Sequence, residues 1–424
     1  MKLKLFRILL VILFAGCFRN IYAAESPLTW QDCIKEAAKN HPDLIAAQES
    51  VKQSVATKQE TASGLFPQIA GNVSAQTAKS ASSSGSGNVD TYSYGVTGTQ
   101  LLFDGIQTIN NVNAASQNVA ASKQGFKFTS ATVRFRLRSA FVDLLKAQDL
   151  LHITEEIYDI RRSNLELITL RYESGLENKG ALLTTEADLA DAKYGISQAK
   201  RSLEVAWREL TKEMGRTQLV PMQAKGDFKV KDTALVKPDF ESLAKNNPAL
   251  GQLIAQKRAA EFSLKSAYAN FSPQLTGSAG ANRTGNRWAP RSDQWNLGLN
   301  LSMPIFEGGL RIAQVSGARA LVNQLEENER SSRDGVILTL QQSWAALQDA
   351  VENVGVQQMA LSATEERSKI AQAQYSIGFV SFDNWTIIED NLVKAKSNFL
   401  NAQAGALLAE ASWIQAKGET LEYE

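Results

Sequence analysis

The chain has 424 residues, 44% of them hydrophobic, with 45 basic residues against 44 acidic ones and a formal charge of +1. The length allows two or three ordinary domains or one duplicated structure, and the even charge leaves no electrostatic footprint for a nucleic-acid partner. Two histidines (His41 and His152) and two cysteines, with no HExxH, no P-loop and no cysteine pair spaced for metal, provide no enzyme constellation and no metal or cofactor site.

The chain opens with MKLKLFRILLVILFAGC, in which Lys2, Lys4 and Arg7 precede a short apolar core. That pattern is a secretory signal, too short to be a spanning helix. Small residues in NIYAAES set cleavage after Ala23 or Ala24, so residues 1–23 are read as a signal peptide. Cys17 is either a lipid-attachment cysteine, with the small residues of FAGC near it, or a residue inside the signal. After cleavage Cys33 is the sole cysteine, which excludes an intrachain disulfide and suits a buried position on the first helix.

The next landmark is KNHPDL at 39–44, which returns as KNNPAL at 245–250, an offset of 245 − 39 = 206. The offset holds from Pro67 of FPQ to Pro273 of SPQ, then becomes 305 − 102 = 203 between LFDG and IFEG. It stays there: Tyr172 falls on Tyr375, Gly175 on Gly378, Glu186 on Glu389, Leu189 on Leu392 and Gly215 on Gly418. One register over roughly 180 residues marks a duplicated unit rather than a short solenoid repeat. The slip lies at KSASSSGSGNVD (79–90), read as loop because loop tips tolerate insertion. GSGNVD within it stands between strands, so it reads as an extracellular loop and not as a phosphate-binding turn. The two repeats are expected at 24–221 and 222–424, joined through a linker at 216–238.

Each repeat is expected to hold a helix, a β-hairpin and a pair of long helices. The hairpins, at 68–103 and 274–306, alternate with period two. In DQWNLGLNLSMPIF, Trp295, Leu297, Leu299, Leu301 and Met303 take one face, and Asn296, Gly298, Asn300 and Ser302 the other. Tyr92, Tyr94 and Val96 alternate in the same way with Ser93, Gly95 and Thr97. Strands of ~10 residues match a tilted bilayer crossing. Four such strands cannot close a barrel, and an open edge is not tolerated in lipid. Either the strands are soluble, or several chains pool them.

The long helices are expected at 104–214 and 307–418, in stretches free of proline. Val133, Leu137, Ala140, Leu144, Ala147, Leu151, Thr154 and Tyr158 form one seam at knobs-into-holes spacing, repeated from Val336 to Leu361. A second seam runs through Ile153, Ile157, Ile160, Leu167 and Leu170. A helix from Asp104 to about Arg171 has ~67 residues and spans ~100 Å. YESGLENKG then turns the chain, with Gly175 and Gly180 supplying the permissive backbone.

The two NxP helix starts, Pro67 and Pro273, LFDG and IFEGG, and the RYESG and QYSIGFVSFDN turns occur in this order, twice. In these motifs, over residues 28–418, the chain resembles the TolC-type outer-membrane efflux proteins of Gram-negative bacteria. The resemblance implies a mainly α fold with β: duplicated long-helix hairpins forming a periplasmic α-barrel tunnel, plus four transmembrane β-strands per chain. It implies a homotrimer with a 12-stranded barrel in outer-membrane lipid, and the linker as a belt around the helices. It also implies a periplasmic tip formed by the YxxG turns. Tyr172, Gly175, Tyr375 and Gly378 match that pattern, and Ser381 matches a position usually Thr or Ser. Asn384 stands where the family commonly has aspartate, with Asp383 adjacent, and Val380 stands where some relatives have arginine. Phe379, Phe382 and the turn tyrosines are expected to hold this tip closed by packing, with Asp383 giving its mouth a preference for cations.

The expected function is a passive exit duct of a tripartite efflux or type I secretion system, partnered by a periplasmic adaptor and an inner-membrane pump. It would use no cofactor and perform no catalysis. The alternative is a soluble periplasmic coiled-coil adaptor or scaffold, although no β-sandwich region of the kind adaptors carry is legible here.

Overall fold

The computed structural model describes residues 27–82, 85–230 and 236–421. The expected signal peptide with Cys17, residues 83–84 of the first hairpin and linker residues 231–235 lie outside the described residues. In the first half come α1 (Trp30–Asn40), α2 (Pro42–Ser63), β1 (Gln68–Ser82), β2 (Gly85–Phe103), α3 (Gln107–Glu173) and α4 (Lys179–Glu213). In the second come α5 (Phe240–Lys245), α6 (Pro248–Ala269), β3 (Gln274–Gly285), β4 (Ser292–Ser302), α7 (Leu310–Ser376) and α8 (Phe382–Lys417).

The duplication reaches the element bounds. Both α2 and α6 have 22 residues and start 248 − 42 = 206 apart. Both α3 and α7 have 67 and start 310 − 107 = 203 apart. Local chemistry explains the shared boundaries. Pro42 and Pro248 occupy first-turn positions, where a missing N–H costs nothing. Before each proline a capping side chain accepts from the first turn: His41 Nδ1 from the Asp43 N–H at 3.1 Å, and Asn247 Oδ1 from the Ala249 N–H at 2.9 Å.

The long helix starts three residues later than the sequence suggests, at Gln107 rather than Asp104. The Asp104 carboxylate accepts from the Thr108 N–H at 2.8 Å and from its hydroxyl at 2.5 Å, so Asp104 holds the helix start from outside. Gly105 and Ile106 between them sit at φ +67° and +70°. At Gly105 a side chain is doubly excluded, since a Cβ would also lie 2.3 Å from Ser272 Cβ.

The chain divides into two compact units, with α3, α7 and α8 contributing residues to both. One gathers Asn40–Phe135, Lys231–Val351 and Ala409–Glu424. It carries one four-stranded antiparallel sheet in the order β1-β2-β3-β4. The register places Gly71 and Val73 beside Val96 and Tyr94, these beside Ala281 and Arg283, and Ala281 beside Trp295. One face therefore bears Ile69, Val73, Tyr94, Val96, Leu275, Trp295, Leu297, Leu299 and Leu301. The other bears Asn72, Ser74, Thr97, Ser278, Asn282, Asn296 and Asn300. The apolar face is open: Leu297 is 79% exposed and Leu299 74%.

Two expectations for the hairpins need correcting. The strands of the first hairpin are 15 and 19 residues long, not about ten. KSASSSGSGNVD is largely strand as well, since pairing continues from Gln76↔Thr91 to Ser82↔Gly85. A ladder is stabilised by its partner strand, so a stretch poor in strand-forming residues still pairs once the strands below it are paired, and composition alone does not register that. Met303 falls just outside β4, which stops at Ser302 before Pro304.

The other unit gathers the described residues of Met1–Lys39 with Arg136–Val230 and Glu352–Leu408. Here α3 is buried on more than one flank, with Leu137, Phe141, Val142, Leu144 and Leu145 all in the core. The reason lies in the start of the linker. Gln148 holds the Ala224 backbone at both ends, at 2.8 and 3.1 Å, and Trp207 Nε1 donates to the Met222 carbonyl at 2.7 Å. Phe228 and Val230 pack on Val142, Ala404 and Leu407. Leu28 makes a parallel bridge to Ala224, and Arg216 grips the Glu36 carboxylate at 2.5 and 2.8 Å. Cys33 is fully buried, and burial pushes its thiol up to about 12. Leu170, expected in the second seam, is exposed; the buried residue of that turn is Ile168.

Candidate functional site

The residues read as a tip all lie in the unit just described, at the two connections between long helices. Both connections are the same backbone device. At the end of α3 the Leu176 N–H donates to the Arg171 carbonyl at 2.8 Å and the Gly175 N–H to that of Tyr172 at 3.0 Å. At the end of α7 Phe379 donates to Gln374 at 2.9 Å and Gly378 to Tyr375 at 3.0 Å. These are Schellman caps, with Gly175 at φ +71° and Gly378 at φ +83° in the left-handed region. A capping side chain then starts each return helix: Asn178 accepts from the Ala181 N–H at 3.0 Å, and Ser381 from that of Asn384 at 3.4 Å.

Beneath the turns lies a buried cluster of Ile168, Ala181, Ala371, Tyr375 and Trp385, flanked by Leu167, Leu182, Val380, Phe382 and Ile388. Its centre is an aromatic stack, Tyr375 on Trp385, with centroids 4.5 Å apart and planes 5° from parallel. The Phe382 ring packs on both at 6.4 Å. The Arg171 guanidinium lies 4.8 Å over the Tyr375 ring, and the phenol donates to Glu177 Oε2 at 2.7 Å. Burial, and then the Glu177 carboxylate accepting its proton, push the Tyr375 phenol far above its usual range, so it stays neutral and donating. Deeper along the helices, Arg161 pairs with Asp390 and with Asp188 at 3.6 Å. Burial outweighs Arg161 at Asp188 and raises its carboxyl.

The two tyrosines, equivalent in sequence, are not equivalent here. Tyr375 is 1% exposed and Tyr172 38%. The partners explain it. Tyr375 takes Arg171 and Glu177 from the first repeat and Trp385 from its own. By the offset of 203 the residues that match these three partners are Gln374, Val380 and Leu182, which offer neither charge nor ring. Phe379 is 82% exposed at the turn. Ser381, Asp383 and Asn384 are exposed on the first turn of α8 and its cap, and no ion pair engages Asp383 among the described residues. Sequence reasoning missed Arg171, Glu177 and Trp385 as working residues. Trp385 had a local signal, standing three residues past Phe382 on the same helix face. For Arg171 and Glu177 there was none, because their partner is 198 to 204 residues away.

With this geometry in hand, the profile of the outer membrane efflux proteins matches residues 33–216 and 240–419, most of the chain and both repeats. The chain belongs to the outer membrane efflux protein family. It is 21% identical over 423 residues to the outer membrane efflux protein BepC of Brucella suis biovar 1, covering 97% of this chain and 86% of the relative. It is 22% identical over 351 residues to the outer membrane protein TolC of Escherichia coli K12, covering 77% of this chain and 69% of TolC. In fold it is similar to the Campylobacter jejuni CmeC outer membrane channel, with a TM-score of 0.81, 18% identity, and coverage of 91% of this chain and 84% of that one. As a member of this family it is an outer membrane efflux protein, a transport channel of the cell outer membrane.

Proposed function

We propose that the protein works as a homotrimer, in which three four-stranded sheets close one 12-stranded barrel and duplicated helices from three chains continue it as a tunnel. One observation carries this reading. The sheet has an open apolar face, while β1 pairs only with β2 and β4 only with β3 among the described residues. An apolar face belongs in lipid, yet each unsatisfied backbone group on a lipid-exposed edge costs several kcal/mol. Pairing β1 of one chain with β4 of the next removes both edges at once. The same face disfavours a soluble adaptor, which would present Trp295 to Leu301 to water.

In this reading the sequence divides functionally as its repeats do, 24–221 and 222–424. The turns at Gly175 and Gly378 form the periplasmic aperture, with Asp383 biasing its mouth toward cations. A periplasmic adaptor and an inner-membrane pump deliver cargo, and the duct passes it on without catalysis or cofactor. Crosslinking in intact outer membranes tests the assembly: a species of three chains is expected. A stable single chain inserted in the membrane would refute it.

A further inference from the structure

The end of the sheet away from the helices carries chemistry that a duct does not require. On the apolar face, Trp295 of β4 and Tyr92 and Tyr94 of β2 form an aromatic row, and Trp288 of the β3–β4 loop meets Tyr92 edge-on at 6.1 Å. Aromatic girdles of this kind mark the level of lipid headgroups on membrane barrels. Three arginines stand at this end of the sheet, Arg283 beside Tyr94 and the other two beyond the row. Arg283 is paired with Asp293 across the β3–β4 ladder. Arg287 and Arg291 flank Trp288, are exposed, and engage no acidic side chain among the described residues. The other carboxylate at this end of the face, Asp90 of β2, accepts from the Thr77 hydroxyl of β1 at 2.8 Å and forms no ion pair with either arginine among the described residues. The loop packs back on the sheet, with Pro290 buried so close to Gly285 that a Cβ there would lie 3.1 Å from it.

We infer that Arg287 and Arg291, seated beside Trp288, bind the phosphate groups of an anionic lipid in the outer leaflet. Guanidinium groups suit phosphate because their paired N–H donors match two of its oxygens. The position selects a lipid over a soluble anion: the arginines continue an apolar face running through Leu297, Leu299 and Leu301, which would hold the acyl chains. Three such sites would ring the barrel and tie it to the leaflet. The inference rests on the placement of this face in lipid.

The test titrates detergent-solubilised full-length protein with bisphosphorylated lipid A in mixed micelles and reads bound lipid by native mass spectrometry. A basic residue near an anionic leaflet strengthens binding about five-fold, so the double variant Arg287→Gln/Arg291→Gln should bind about 25-fold more weakly. Dephosphorylated lipid should bind the unmodified protein as weakly, and inorganic phosphate should not displace the lipid. A double variant that assembles normally and keeps its affinity overturns the proposal, as does displacement by inorganic phosphate, which would make this a soluble-anion site. If the unmodified chain fails to enter outer membranes, the lipid placement itself falls, and the proposal with it.

Discussion

Replacing the same residue in the two repeats should give unequal results. Tyr375→Ala removes a ring that is 1% exposed, stacked on Trp385 at 4.5 Å and hydrogen-bonded to Glu177 at 2.7 Å. Emptying a buried aromatic site costs about 3–5 kcal/mol. Tyr375→Phe keeps the ring and loses only the hydroxyl. A hydrogen bond to a charged acceptor contributes about 1.5–3 kcal/mol, and half-buried Glu177 can rehydrate, so about 1.5 kcal/mol is expected. Tyr172→Ala removes a ring that is 38% exposed and has neither the stack nor the carboxylate of Tyr375, so it should cost less than Tyr375→Ala. Thermal melting of the detergent-solubilised protein reads the stability, and single-channel conductance in planar bilayers reads the tip. Tyr375→Ala should melt lowest and raise resting conductance, with Tyr375→Phe and Tyr172→Ala both closer to the unmodified protein. Asp383→Asn should reduce cation selectivity in the same recordings without raising conductance. If Tyr172→Ala loosens the channel as much as Tyr375→Ala, the buried stack is not what holds the turn and the argument fails.

A charge on the apolar face of β4 should block assembly where its neighbour does not: Leu299→Arg costs about 2–4 kcal/mol near the bilayer midplane, and outer-membrane yield should fall well below that of Asn300→Arg. Gly105→Ala should be worse than Gly175→Ala, because both positions have positive φ but only the first meets another residue, Ser272 Cβ at 2.3 Å. The left-handed backbone alone costs about 1–2 kcal/mol, so equal melting temperatures for the two variants would contradict the clash. Cys33, raised from 9.0 to about 12 by burial, favours the fold as a neutral thiol. That contribution is complete below pH 9.0 and is lost as pH rises through about 12, so Cys33→Ala should flatten the alkaline fall in stability over this window. Iodoacetamide should modify Cys33 only after denaturation, and modification of the folded protein would show the site to be open.

Much of the architecture was legible in the chain because it is written in local terms. Pro42 and Pro248 mark helix starts, Gly175 and Gly378 mark helix ends, and the alternation from Trp295 to Leu301 marks a two-faced strand. Each is a short-range steric or hydration rule, and the constant offset between repeats let one half support the other. The same locality set the errors. Asp104 looked like a helical residue and proved to be a cap, because its bond to Thr108 depends on the turn at Gly105. The Ser- and Gly-rich stretch after Lys79 looked like loop and proved to be paired strand, because a ladder is stabilised by the partner strand and not by its own composition. Leu170 fitted a seam but is exposed on the single chain, where Ile168 is the buried residue of that turn. What only the tertiary structure decided is the inequality of the two turns. Tyr172 and Tyr375 sit in matching words, but Tyr375 meets Glu177, 198 residues back along the chain, whereas the residue that matches Glu177 by the offset is Val380. A duplicated sequence fixes two equivalent backbones; which of them becomes a buried stack depends on side chains brought together across helices, where no sequence interval records the contact.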